Sequence, residues 1–199
     1  MNAGGDGRLE RWLAALLSTP GLTALRSLED AHRVHLEESL AAVPAARRYK
    51  GRIVDVGSGG GAPGIPLAAA LPEREVTLLE ASRRKCDFLE KWAAEFPNVR
   101  VVCGRAEEQP PERFGVAVAK ALAKPPVALE WCLPLVAVGG AALLFAGPSV
   151  ELDAVERVAA RLGGGPPELE RGILVVPKLG PTPSGFPRRP GMAKKRPLA

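Results

Sequence analysis

Apolar positions follow two periods along this chain, helical at the start and strand-like afterwards. Residues 8–17 space Leu, Trp and Ala side chains around arginines and a glutamate and predict a short amphipathic helix. A second helix is predicted over Leu28–Ala42, with Pro44–Lys50 as a linker. Short apolar runs then alternate with helical patterns. Arg52–Val56, Glu75–Leu79, Val99–Cys103, Val116–Ala119, Ala141–Phe145 and Ile173–Val176 are expected as strands. Gly64–Ala70, Ser82–Phe96, Val127–Leu133 and Glu151–Leu162 are expected as helices between them. In Ser82–Phe96 the residues Leu89, Trp92, Ala93 and Phe96 fall at i, i+3, i+4, i+7 and share one face, and Pro97-Asn98 ends the run. Alternation of this kind predicts an α/β fold: a mostly parallel, Rossmann-like sheet with helices on both faces. The expected division is a helical cap with its linker over 1–50, a main domain over 51–178 and a Pro-rich tail over 179–199. No internal repeat is present.

At 46% hydrophobic and 25% charged residues the composition is that of an ordinary globular domain. Pro134–Gly147, the longest apolar run, falls short of the ~20 residues of a membrane span. The N-terminus lacks the pattern of a signal peptide, and Cys86, Cys103 and Cys132 are scattered and odd in number. Reduced thiols and a cytoplasmic location are therefore expected, and the cysteine spacing matches no zinc site. The net charge of +5 has an uneven origin. Lys178–Ala199 holds six basic residues and no acid, so the basic excess of the chain sits in its tail. A cationic block of this kind suits a polyanion, most simply nucleic acid. Arg188, Arg189, Lys194, Lys195 and Arg196 are the candidate phosphate contacts, on a segment that Pro181, Pro183, Pro187, Pro190 and Pro197 should keep extended. Phe186 is placed either to stack on a base or to anchor the tail; Trp12, Trp92 and Trp131 are expected in the core.

The densest chemical signal is Asp55-Val-Gly-Ser-Gly-Gly-Gly-Ala-Pro-Gly64, a strand end that turns through glycines into a helix. Gly57, Gly59 and Gly61 leave the backbone open to a bound ligand, and Asp55 offers a carboxylate beside the turn. Gly59-x-Gly61-x-x-Gly64 satisfies the dinucleotide fingerprint. Pro63 and Pro66, however, thin the amide array that a pyrophosphate would want, which favours S-adenosylmethionine (SAM) over a dinucleotide. Glu80 closes a strand nineteen residues after Gly61, where a carboxylate can accept ribose hydroxyls of either ligand. Ala106 and Glu107, after the third strand, lie at the same sheet edge and can border a purine.

These segments resemble the bacterial 16S (small-subunit) ribosomal RNA guanine-N7 methyltransferases, the glucose-inhibited division protein B family. The resemblance runs from Leu22 to Leu198 and is strongest in Asp55–Leu67, where Pro63-Gly-Ile-Pro66 is more specific than the glycines. Val76–Ser82, Lys85, Phe88-Leu89, Gly104–Glu108 and the end Phe186–Leu198 continue it, with fainter echoes at Leu22-Thr23 and His35–Ser39. It implies a SAM-dependent methyltransferase fold, SAM contacts at Gly57, Ala62, Ala106, Glu107 and Lys120, and 16S ribosomal RNA or the small ribosomal subunit as partner, with no metal, acting as a monomer. Lys120 stands where the family usually has arginine, Ala146-Gly147 where a lysine usually precedes the glycine, and the segment between Leu162 and Ile173 is too short for the strand the family usually has there, so the sheet is expected to lack one edge strand.

The chemistry implied needs no general base, because guanine N7 carries a lone pair and no proton; positioning suffices. No catalytic residue is therefore assigned. His35 is expected as a packing or capping residue of the cap, and Cys103 as a core residue rather than a nucleophile. Two alternatives stand beside this reading: an RNA-binding relative without turnover, motivated by Lys120 and Ala146, and an NAD(P)-dependent oxidoreductase, supported by the glycine spacing alone.

Overall fold

The computed structural model describes residues 7–147 and 150–199; residues 1–6 of the cap expected over 1–50 lie outside them. Seven strands form one sheet: β1 Ile53–Val56, β2 Val76–Glu80, β3 Val99–Cys103, β4 Phe114–Ala119, β5 Val136–Phe145, β6 Glu168–Glu170 and β7 Ile173–Pro177. Their order is β3-β2-β1-β4-β5-β7-β6. The first five are parallel, and β7 and β6 run antiparallel to their neighbours. All four residues of β1 are buried, as a central strand covered on both faces requires.

Nine α-helices accompany the sheet among the described residues. They are α1 Gly7–Ser18, α2 Leu28–Ala31, α3 Glu38–Leu40, α4 Val43–Arg47, α5 Gly64–Ala70, α6 Arg83–Ala93, α7 Pro125–Cys132, α8 Leu152–Arg161 and α9 Met192–Lys195. A π-helical turn, His32–Glu37, separates α2 from α3. Period-two alternation in the strands sends Ile53 to one core and Val54 to the other. The first core lies under α1, α5, α6 and the cap, and holds Trp12, Leu16, Ile65 and Leu89. The second lies under α7 and α8 and holds Leu129, Leu133, Val155 and Val158.

Four expectations need correction here. The edge strand expected to be missing is present as β6. It fits in few residues because the hairpin to β7 closes through two, Arg171 and Gly172, both left-handed (φ 49° and 78°), with Glu170 paired to Ile173. The expected linker Pro44–Lys50 carries most of α4, with Pro44 in its first turn, where a missing N–H costs nothing. Cys86 and Cys103, expected as reduced thiols, form a disulfide, and Cys103 is exposed at the strand end rather than in the core. Helix α6 returns across β3 and brings their Cα atoms to 5.8 Å, although 17 positions separate them in sequence. Only Cys132 is free among the described residues, and burial holds its thiol well above the usual range.

The fourth correction concerns the tail, expected to be extended. It instead folds back onto the domain. Phe186 and Leu198 pack against the second core, and Ala193 of α9 is buried. Lys178, counted with the tail's cations, is fully buried; its Nζ donates to Leu162 O (2.6 Å) and Thr182 Oγ1 (2.9 Å). Burial pushes its pKa down to about 8, and it offers nothing to a polyanion.

Candidate active site

Strands β1 and β4 are neighbours although β2 and β3 lie between them in sequence, so the winding of the sheet reverses there. Ligands of open α/β sheets sit outside the carboxyl ends of the strands at such a point. The glycine turn after β1 and the loop after β4 meet at this place and open into three adjoining cavities.

The first cavity, of 280 Å³, is lined by Gly57, Glu80, Lys85, Ala106, Glu107 and Leu122 among others. Glu80 ends β2 and is nearly buried. One carboxylate oxygen accepts from Gly59 N (2.9 Å) and the other from Ser82 N (2.8 Å), so Glu80 joins the glycine turn to the start of α6. An ionised carboxylate has about four acceptor positions, and two remain for a ligand. The second cavity, of 250 Å³, shares Gly57, Lys85 and Ala121 with the first and adds Gly59, Ala62, His35 and Lys120. The third, of 430 Å³, lies against Lys120, Phe145, Ala146 and Arg171. Ala121 borders all three, with a left-handed backbone (φ 52°). A non-glycine residue held in that conformation is a common mark of a functional site.

The residues expected for a cofactor therefore gather in one region. Gly57, Glu80, Ala106 and Glu107 line the first cavity, Gly57, Gly59, Ala62 and Lys120 the second. Besides Glu80, two of them have prior engagements. Glu107 Oε1 accepts from Gly191 N of the tail (3.1 Å). Lys120 pairs with Glu38 Oε2 (2.9 Å), donates to Val34 O and stands 5.3 Å from the Phe145 ring centroid. The ammonium thus ties the helical cap to the end of β4.

Asp55, expected to offer its carboxylate beside the turn, faces the other way. It is fully buried, Oδ2 accepts from Gly64 N (3.0 Å), and Oδ1 has no hydrogen-bond partner among the described residues. Its chemistry is to hold the start of α5 against β1. Burial pushes its pKa up to about 7, only partly offset by the hydrogen bond from Gly64. Between about pH 4 and pH 7 the folded protein keeps a proton here that the unfolded chain releases, so stability should fall as pH rises through that window and level off above it. Asp55→Asn, which cannot titrate, should remove on the order of 2 kcal/mol of that loss between pH 5 and pH 8, measured by urea denaturation at both values.

Sequence reasoning missed the part played by the cap. Trp12 Nε1 donates to Gly60 O (2.9 Å), and Leu16, Leu22, Val34 and His35 wall the second cavity. His35, expected only to pack or cap, has its Nε2 3.0 Å from Thr23 Oγ1, and burial holds its pKa below the usual value. Trp131, expected in the core, borders the first cavity, as does Lys194 of the tail. The local signal at hand was the His35–Ser39 segment: Ser39 Oγ donates to His35 O (2.8 Å) within this turn.

The tail residues expected to meet RNA divide into two groups. Arg189, Lys195 and Arg196 are exposed. Arg188 is not available: it forms a two-pronged ion pair with Glu130 (2.5 and 2.6 Å), whose side chain is 3% exposed. A buried carboxylate needs such a partner, and Arg supplies the matching planar fork. Lys194 is exposed but stands 5.4 Å from the Trp131 ring centroid. Among the described residues no helix is long and apolar enough to cross a membrane, and no group of three or more His, Cys, Asp or Glu is arranged for a metal ion.

A parallel sheet with a glycine turn and a strand-end carboxylate at its winding reversal defines a Rossmann-like nucleotide-cofactor fold, and the comparisons place it among the SAM-dependent methyltransferases. A TehB-like SAM-dependent methyltransferase from Corynebacterium glutamicum shares the fold (TM-score 0.58, 22% identity, covering 77% of this chain and 93% of that one). So does a mutant of MtNAS in complex with SAM (TM-score 0.58, 15% identity, covering 87% and 73%). The family model of rRNA small subunit methyltransferase G, GidB, matches residues 8–162. Proteins named Ribosomal RNA small subunit methyltransferase G are 36% identical in Alkaliphilus oremlandii, covering 89% of this chain and 82% of the relative, and 36% identical in Thermotoga neapolitana, covering 94% and 89%. This chain belongs to the GidB family of rRNA small subunit methyltransferases. The oxidoreductase alternative falls with that finding.

Proposed function

We propose that this chain transfers a methyl group from SAM to N7 of a guanine in 16S ribosomal RNA. One observation carries the placement of the cofactor. Glu80 faces the first cavity from the end of β2 while its two oxygens already orient the glycine turn and α6. A carboxylate held in this way accepts ribose hydroxyls without reorganising. Ala106 and Glu107 then border the purine, and Gly57, Gly59 and Ala62 give the backbone a close approach to the amino-acid portion. SAM supplies a methyl group activated by its sulfonium.

The remaining work belongs to positioning. Through Glu38 and Val34, Lys120 keeps the cap beside the second cavity. The third cavity adjoins this one and presents the apolar ring of Phe145 beside Lys120, a setting for a purine face and its electron-rich edge. Arg189, Lys195 and Arg196 would take phosphates of the RNA strand. Guanine N7 needs no proton removed, so the neutral His35 is not required as a base.

The test is mass spectrometry of 16S ribosomal RNA nucleosides from cells with and without this gene. The expected result is 7-methylguanosine lost on deletion and restored by the chain. An RNA-binding relative without turnover would leave the nucleoside pattern unchanged.

A further inference from the structure

Beyond β7 the chain runs back along α7 to the first cavity, and three contacts fasten it. Thr182 N donates to Glu112 Oε1 (2.5 Å). Arg188 grips Glu130 and also donates to Arg196 O (2.8 Å), which closes the tail on itself. Gly191 N donates to Glu107 Oε1 (3.1 Å). Directly after Gly191, α9 packs against α7 and buries Ala193.

These fastenings have a local result. Lys194 joins the lining of the first cavity, 5.4 Å from the centroid of Trp131, which lines it too. The indole N–H of Trp131 is buried and has no hydrogen-bond partner among the described residues. That N–H is sealed from the cavity, so Trp131 meets it through its ring atoms. An ammonium held near an aromatic ring also presents a cation to the π face of any base that enters beside it.

We propose that the C-terminal segment forms the adenosine-side wall of the cofactor site. Lys194 and Trp131 contact the purine, and the Arg188–Glu130 pair is the positioning device that holds the wall in place. The inference rests on SAM occupying the first cavity. The basic tail is then split between two roles, with Arg188 and Lys194 serving the cofactor while Arg189, Lys195 and Arg196 face outward. Cofactor affinity depends on the docked tail before any RNA is present.

The experiment is calorimetry on the full chain without RNA, using two probes. S-adenosylhomocysteine carries the whole skeleton of the spent cofactor, and 5′-methylthioadenosine keeps the adenosine but lacks the amino acid. Lys194→Ala and Trp131→Phe should each weaken both ligands about 3- to 30-fold, with melting temperatures close to that of the parent chain. Arg188→Ala should weaken both further. If Arg188→Ala does not fold, the other two variants decide. Unchanged affinity for both ligands in Lys194→Ala and Trp131→Phe would overturn the inference and leave the cofactor reading standing. A loss confined to S-adenosylhomocysteine would overturn the adenosine-side placement. No binding of either ligand by the parent chain would remove the reading on which the inference rests, and the inference with it.

Discussion

Gly57→Arg is expected to abolish measurable SAM binding while leaving the protein folded. Gly57 sits at φ 74°, and its N–H donates to Leu79 O (2.8 Å), so the backbone cannot swing away from the cavity. A Cβ added there overlaps the Leu122 side chain, and the longer arginine would extend into a cavity of 280 Å³. A left-handed non-glycine residue costs about 1–2 kcal/mol, which a domain of this size tolerates. Two effects then act on the ligand together: lost volume, and repulsion between a guanidinium and a cofactor bearing a sulfonium and an ammonium. Calorimetry should find the affinity reduced by more than about 100-fold, equivalent to about 2.7 kcal/mol or more. Parent-like affinity in this variant would place the cofactor elsewhere.

Glu80→Ala should be nearly as damaging, for a different reason. The parent carboxylate is expected to accept from ribose hydroxyls, and hydrogen bonds to a charged partner are worth about 1.5–3 kcal/mol each. Two of them correspond to at least about a 100-fold loss in affinity for S-adenosylhomocysteine. The variant also leaves the Gly59 and Ser82 amides without their acceptor, so a fall in melting temperature should accompany the loss. Glu80→Gln keeps an acceptor oxygen and should fall between the two. A variant that melts early yet binds S-adenosylhomocysteine as tightly as the parent would reduce Glu80 to a structural brace.

The two variants probe the parts of the site that were legible in sequence. A glycine turn after an apolar strand, and an acid at the end of the next strand, are local signals. The parallel sheet turns them into neighbours, with Asp55 opposite Leu78 and Val56 opposite Leu79. What escaped sequence reasoning depends on partners far away along the chain. Lys120 lines the second cavity with the other expected cofactor residues, but no local pattern records that its ammonium also meets Val34 and Glu38 in the cap. Arg188 looked like one more tail cation, but Glu130 is 58 positions away and buried. A count of charges cannot separate a solvated arginine from a paired one. Asp55 looked like a ligand group because it stands at the end of β1 beside the glycine turn; its direction was set by Gly64 N, a backbone atom that no side-chain pattern records. The edge strand β6 escaped because a three-residue strand carries almost no period, and its two-residue turn, Arg171-Gly172, places an arginine where glycine or asparagine is usual.

The cap and the tail give the site its closure. Trp12 and Leu16 hold the glycine turn from one side, while Lys194 and Trp131 border the adjoining cavity from the other. Trp12 and Leu16 are also buried in the first core, so substitutions there should lower stability as well as ligand affinity, whereas the exposed Lys194 can be changed with little effect on stability.

The central claim is that the cavity between the glycine turn and Glu80 holds SAM. Its most direct test is a crystal structure of the full chain grown with S-adenosylhomocysteine. Ribose hydroxyls are expected within hydrogen-bonding distance of the Glu80 carboxylate, with the purine between Ala106 and Trp131. Ligand density away from Glu80, or none at saturating concentration, would contradict it.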